Sequence, residues 1–331
     1  MMVKNNILEA IGNTPLVRLN RVSEHLQATV LVKVEFVNPG GSVKDRIALR
    51  MIEAAEREGI LLPGGTVVEA TSGNTGMGLA MVAAVKGYRT ILVVPDKMSR
   101  EKIDTLKAMG AEVVVTPTQV PPDSPESYYQ VAQRLADEIP GAILLNQYFN
   151  RENPEAHYRT TGPEIWQQTE GKVDVFVAGM GTGGTISGVA RYLKERKPNV
   201  KVVGVDPEGS ILREYFYTGR MVEPMPYKVE GVGEDILPGT LDFGYIDEVV
   251  TVNDRDAFCM ARRLAREEGL FVGGSSGMAV VGALRVARRL PAGKIVVVLL
   301  PDGGNRYLST FYSDEWMARN GFLETPAEIA V

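Results

Sequence analysis

The sequence predicts an α/β protein of two doubly wound domains with mainly parallel sheets. Short, continuous β-branched runs alternate with stretches of helical periodicity, the pattern of strands covered by helices on both faces. The junctions between them are repeatedly rich in glycine, serine and threonine. The 331 residues also exceed what one hydrophobic core usually holds.

In order along the chain, residues 66–70 predict a strand and 76–86 a helix that Gly87 ends. Residues 90–94 follow as a strand, 98–109 as a helix closed by Gly110, and 112–116 as a third strand. The second half repeats the scheme with strand 173–178, helix 186–196, strand 201–205, helix 278–289 and strand 294–300. Pro121 to Pro125 forms a loop, and Asn150 to Pro154 is the best boundary. A smaller domain over 1–150 and a larger one over 151–331 are therefore expected, with the early segment at about 13–34 packing on the larger domain.

Apolar residues make up 44% of the chain and charged residues 23%, an ordinary globular balance. A net charge of −5 argues against a nucleic-acid partner, which needs a basic face. Cys259 is the only cysteine, so no internal disulfide forms, and in its apolar helical run it is expected to be a small core residue. With two histidines beside it, no standard zinc set is available, and no metal is expected. The N-terminus lacks a signal-peptide core, and runs such as Ile295 to Leu300 are too short to span a bilayer. A reducing cytoplasm is the expected setting.

Four glycine-rich elbows carry the chemistry. In the first, Asn38 to Arg46, Ser42 and Asp45 have the spacing of a capping box, so a helix should start there. Ile47, Met51, Ile52 and Ala55 would form its apolar stripe, and Lys44 would sit in its first turn. A cation is disfavoured at that end of the macrodipole, which favours a neutral, nucleophilic amine. The second elbow, Thr71-Ser72-Gly73-Asn74-Thr75-Gly76, follows a strand and precedes a helix, a junction suited to a carboxylate. The third, Gly179-Met180-Gly181-Thr182-Gly183-Gly184-Thr185, offers a nest of N–H groups and two hydroxyls, a cradle for phosphate. The same glycines 179, 181 and 184, with Asp206 ending the next strand, also satisfy a dinucleotide fingerprint. That rival reading is a nicotinamide-dependent dehydrogenase. The fourth elbow, Gly273-Gly274-Ser275-Ser276-Gly277, opens another helix and exceeds what a dinucleotide needs. Together the four could hold an aldehyde, a phosphate, a ring and a carboxylate.

From Ile11-Gly12-Asn13-Thr14-Pro15-Leu16 to Arg306-Tyr307-Leu308-Ser309-Thr310, these motifs resemble the fold-type-II (tryptophan synthase β-like) pyridoxal-phosphate enzymes that include cysteine synthases and cystathionine β-synthases. The resemblance implies pyridoxal 5'-phosphate as cofactor, small amino acids as substrates and a homodimer. By it, Lys44 would join the cofactor as a Schiff base, Asn74 would contact the pyridine hydroxyl, and Gly181, Thr182, Gly183, Gly184 and Thr185 would hold the phosphate. Ser275 would meet the pyridine nitrogen, and Thr71, Ser72, Gly73, Thr75 and Gln147 would bind the substrate carboxylate. A neutral serine there does not enforce a protonated ring nitrogen, which suits an elimination to aminoacrylate followed by attack of a thiol. Lys44 is the natural base for the α-proton.

Within the family, the stretches Asp123 to Ser127, Asp206 to Leu212 and Phe311 to Met317 look like the cystathionine branch, as do Tyr148 and Glu230. Glu230 could pair with the amino group of homocysteine. Against that, Thr161 to Gln168 looks like B-type cysteine synthases. The expected reaction is thus condensation of L-serine or O-acetyl-L-serine with L-homocysteine to L-cystathionine, with cysteine synthesis from sulfide as the alternative. A non-catalytic binding or regulatory protein on the same scaffold is a further reading. Neither a haem extension nor a regulatory domain pair is present in these residues, so haem and adenosylmethionine control are not expected.

Overall fold

The computed structural model describes residues 3–71, 73–96, 98, 100–121 and 123–323, and of residue 101 the backbone alone. The strands are β1 (Leu16–Arg18), β2 (Thr29–Val34), β3 (Thr66–Ala70), β4 (Arg89–Pro95), β5 (Glu112–Thr116), β6 (Ala142–Leu144), β7 (Val175–Gly179), β8 (Lys201–Pro207), β9 (Glu248–Val252) and β10 (Ile295–Leu300). They form a four-stranded sheet of order β5-β4-β3-β6 and a six-stranded sheet of order β1-β2-β10-β7-β8-β9. Each neighbouring pair is parallel except β1 and β2. The expected α/β class with mainly parallel sheets is what forms. β1 and β2, both before residue 35, lie in the sheet whose other strands come from residues 175–300.

The helices are α1 (Lys44–Arg57), α2 (Asn74–Lys86), α3 (Arg100–Ala108), α4 (Tyr128–Glu138), α5 (Glu152–Arg159), α6 (Thr161–Gln168), α7 (Gly184–Arg196), α8 (Leu212–Thr218), α9 (Asp254–Glu268), α10 (Gly274–Ala287) and α11 (Asp314–Arg319). None of the described residues forms a helix long and apolar enough to cross a membrane. Three helices start earlier than periodicity suggests: α2 at 74, α7 at 184 and α10 at 274, against expected starts at 76, 186 and 278. Their first turns are glycine, serine, threonine and asparagine, which carry no apolar period, so the pattern hides them. The shift matters because it brings the N–H groups of the elbows themselves to the helix N-termini.

α1 buries Ile47, Met51, Ile52 and Ala55 as its stripe predicts, each removal from water stabilising by roughly 1.5–3 kcal/mol for the larger side chains. The expected capping box does not close. Val43 occupies the N-cap in helical conformation, and Asp45 instead accepts the N–H of Gly40 at 2.5 Å. Gly41, at φ +81°, folds the loop back so that Gly40 lies over Asp45, and a Cβ on Gly40 would stand 2.4 Å from its Oδ1. A buried ion network then fixes α1 against its neighbours. Arg46 bonds Glu35 and Glu164, each at 2.7 Å, and Lys33 bonds Glu164 at 2.7 Å.

α2 and α10 are covered around most of their circumference, α2 beside β3 and β4, α10 against the six-stranded sheet and α9. A helix apolar all round belongs inside a layered domain. Their N-termini are therefore delivered deep in the molecule, at the carboxyl ends of the parallel strands, where ligands of such folds bind. Cys259 packs half-buried on the core beside α10, its thiol 3.6 Å from the Phe322 carbonyl.

Candidate active site

A cleft of about 810 Å³ opens where these ends converge, lined by residues from all four elbows, including Lys44, Thr71, Asn74, Thr182, Thr185 and Ser275. Lys44 is the first residue of α1, and its N–H donates to Ser42 Oγ at 3.2 Å. Burial holds its amine below the ordinary lysine range, against the pull of the Glu234 and Asp302 carboxylates. The α1 N-terminus acts in the same direction as burial. A nucleophilic amine with a weakened hold on its proton is the result.

The second elbow begins α2 at Asn74, with Gly73 at φ +139°. Thr71 Oγ1 accepts the N–H groups of Gly73 and Gly76 at 3.2 and 3.3 Å, shaping the turn from inside. Thr75 donates its hydroxyl to Gln147 Oε1 at 2.7 Å. Ser72 lies outside the described residues. Gln147 is itself held by Glu69, a carboxylate inside β3 that accepts the N–H groups of Asn146 and Gln147 at 2.8 and 3.2 Å. Burial pushes Glu69 up to about 8 despite those bonds.

The third elbow supplies Gly181, Thr182, Gly183 and Thr185 to the cleft, with Gly184 opening α7. The first N–H groups of α7 have no carbonyl within the helix to accept them. Two glycines are required by close approach. Gly183 has φ +82°, and a Cβ there would stand 2.3 Å from Leu241 Cβ, while one on Gly184 would stand 1.9 Å from Asn153 Oδ1. Asn153 joins this elbow to the second, donating to Thr182 Oγ1 at 3.1 Å and to the Gln147 carbonyl at 2.8 Å. Thr185 Oγ1 meets His157 Nε2 at 3.1 Å, and His157 Nδ1 meets Thr161 at 2.9 Å. Burial, with the nearby Arg46 and Lys44 cations, drives His157 well below the ordinary histidine range, so the ring is neutral.

Ser275 is the second residue of α10, 4% exposed and on the cleft wall. Asn74 Nδ2 donates to Asp302 Oδ2 at 2.9 Å, and Arg306 donates to Asn74 Oδ1. Tyr148 lines the cleft edge-on to Tyr129, with ring centroids 5.8 Å apart. Glu230 stands at the rim, its side chain 45% exposed, paired with Lys102. The ammonium of Lys102 lies 4.9 Å from the centroid of the Tyr307 ring. Asp206, the acid of the dinucleotide fingerprint, is fully buried, and one carboxylate oxygen accepts the N–H of Arg213 at 2.9 Å. It is not among the residues lining the cleft, so the acid of that rival reading is not offered to a ribose there.

The residues fit a phosphate-bearing aldehyde. A helix N-terminus with two hydroxyls suits a dianion, a depressed lysine suits a carbonyl, and a neutral serine hydroxyl suits a pyridine nitrogen. Sequence reasoning missed Glu69, Asn153, His157, Asp302 and Glu234. Glu69 had a visible signal, because a lone acid in the apolar run Thr66-Val67-Val68-Glu69-Ala70 must be buried with partners.

The model of the family described as pyridoxal-phosphate dependent enzyme matches residues 7–302. Cystathionine beta-synthase of Rattus norvegicus is 54% identical over 321 residues, covering 96% of this chain and 57% of that protein. Cysteine synthase of Staphylococcus aureus is 48% identical over 307 residues, 92% of this chain and 96% of that protein. The crystal structure of an O-acetylserine dependent cystathionine beta-synthase from Helicobacter pylori superposes with a TM-score of 0.86 at 40% identity, covering 94% of this chain and 99% of the other. The chain spans 57% of the rat protein and 65% of its Saccharomyces cerevisiae counterpart.

Proposed function

The chain belongs to the pyridoxal-phosphate dependent enzymes, and from that premise we propose that it catalyses β-replacement, joining L-serine or O-acetyl-L-serine to L-homocysteine to give L-cystathionine. The observation that carries the reading is the convergence on one cleft of Lys44 with the N-termini of α2, α7 and α10.

When bound, the cofactor supplies an electron-withdrawing ring that acidifies the α-carbon of an amino acid. The other work falls to the protein. Gly181, Thr182, Gly183, Gly184 and Thr185 would hold the phosphate, with His157 orienting the Thr185 hydroxyl. Ser275 would offer the ring nitrogen a neutral hydroxyl, and Asn74, its amide fixed by Asp302 and Arg306, would contact the ring hydroxyl. The α2 N-terminus, with Thr71, Ser72, Gly73, Thr75 and Gln147, binds the α-carboxylate. That fixes the α-proton near Lys44 Nζ, the amine best placed to take it. Tyr148 walls the cleft, and the Glu230–Lys102 pair stands at the rim that the thiol crosses. A homodimer and a cytoplasmic setting complete the proposal.

The choice of homocysteine rests on the cystathionine beta-synthases at 54% identity. Cysteine synthesis from sulfide is the second reading, favoured by the staphylococcal cysteine synthase, which this chain matches over 96% of its length. Steady-state kinetics with each first substrate against each thiol test the two. A higher kcat/KM for homocysteine supports the proposal. A higher value for sulfide makes the protein a cysteine synthase, and no thioether or cysteine from any pair overturns β-replacement.

A further inference from the structure

The segment that crosses over the phosphate-binding loop carries a second acid, deeper than Glu230. Gly233 N–H donates to the Met180 carbonyl at 2.7 Å, tying the segment to the loop. Gly231 and Gly233, at φ +79° and +74°, make the tight turns between. The Glu234 backbone is pinned on both sides: its N–H donates to Ser210 Oγ at 3.1 Å, and its carbonyl accepts Ile211 N–H at 3.2 Å. The side chain is thereby aimed into the cleft, where Oε1 lies 3.6 Å from the point a Cβ on Gly181 would occupy.

Among the described residues no hydrogen-bond donor reaches Glu234 and no cation forms an ion pair with it, whereas Glu230 has Lys102. Lys44 lies near enough to feel its field, as do Tyr128, Tyr129, Tyr148 and Tyr227 around the same wall. Burial, then the neighbouring Asp235, push the Glu234 carboxyl up to about 8 against the opposing pull of the Lys44 amine. An acid held in a cleft beside other carboxylates, with the Lys44 amine near it but no cation in ion-pair contact among the described residues, is complemented by a cation that arrives with a ligand. The first substrate's amine is committed to the cofactor, so that cation belongs to the second substrate. Sulfide has none, and an amino thiol has an ammonium.

We propose that Glu234 receives the ammonium group of the thiol substrate and so makes this cleft select amino thiols over thiols without a cation. The inference rests on the β-replacement reading and names the determinant of its second substrate. Glu230, expected from the sequence to meet that ammonium, is instead paired with Lys102 at the rim and serves as the control.

The test uses the holoenzyme with one first substrate and three thiols: homocysteine, 4-mercaptobutanoate, which is the same chain without the amino group, and sulfide. In Glu234→Gln, kcat/KM for homocysteine should fall about 30-fold more than for 4-mercaptobutanoate, the scale of one charge-assisted hydrogen bond. Glu230→Gln should shift both thiols by a similar factor. Glu234→Ala gives the same readout should the glutamine variant fail to fold. Equal losses for the two carbon thiols in the Glu234 variants, or no loss for either, would overturn the assignment. Wild-type protein that joins none of the three thiols to the first substrate would instead sink the β-replacement reading itself.

Discussion

Asn74 donates its side-chain amide to the buried carboxylate of Asp302 at 2.9 Å, a bond that joins the start of α2 to the end of β10 across 228 residues of sequence. Tyr307 donates to the same oxygen at 2.7 Å, and Arg306 bridges Asn74 to the Gly40 carbonyl beside the first elbow. The first two elbows are thus tied together beside one carboxylate, which burial pushes above its usual range. Asp302→Ala leaves the Asn74 amide and the Tyr307 hydroxyl without their acceptor. A loss of about 1–3 kcal/mol in unfolding free energy is expected, with weakened cofactor retention. Urea denaturation and cofactor titration check it, and wild-type values in both would refute the bracing role.

The phosphate loop tolerates no side chain at Gly183. Valine there would need both an unfavourable positive φ and a displacement of Leu241, whose Cβ lies 2.3 Å from the new atom. Gly183→Val is expected to lose most cofactor affinity, read as a rise in its dissociation constant by tenfold or more. A dissociation constant like that of wild type would show that the loop does not hold the phosphate.

His157 makes stability depend on pH. Its ring stays neutral in the fold, with the pKa depressed well below 6.5, while the unfolded chain takes up a proton near that value. The unfolded state therefore binds more protons below pH 6.5, and stability falls as pH falls, by up to about 1.4 kcal/mol per unit. Glu69 and Glu234, whose pKa values are raised to about 8, give slopes of the opposite sign. Comparing wild type with His157→Gln cancels them. The variant should lose less stability than wild type between pH 6.5 and 5, by denaturant titration. Parallel pH profiles would mean that His157 is not neutral in the folded protein.

Much of this architecture was legible because parallel strands announce themselves. Thr66–Ala70 and Glu112–Thr116 are bounded as their β-branched runs suggest, and the glycines that follow β3 and β7 mark the elbows. The parts that were not legible share a physical cause. The spacing of Ser42 and Asp45 predicts a capping box at the start of α1, yet the contact that forms joins Asp45 to Gly40, set by a loop reversal no local pattern encodes. Asn153, His157 and Asp302 each bond a site residue 28 or more positions away, so those roles exist only once the chain has folded. Glu230 and Glu234 differ in sequence by four positions of one glycine-rich segment. Only the geometry separates the acid paired at the rim from the acid left open inside.

The account stands on Lys44 as the residue that carries the cofactor, and one measurement addresses it most directly. Borohydride reduction of the purified holo-protein, followed by proteolysis and mass spectrometry, reports which side chain holds the pyridoxyl group. The account expects the label on Lys44, with the visible absorbance lost on reduction, and no covalent label in Lys44→Ala. A pyridoxyl group on another lysine, or an unlabelled protein that binds nicotinamide dinucleotides tightly, would contradict it.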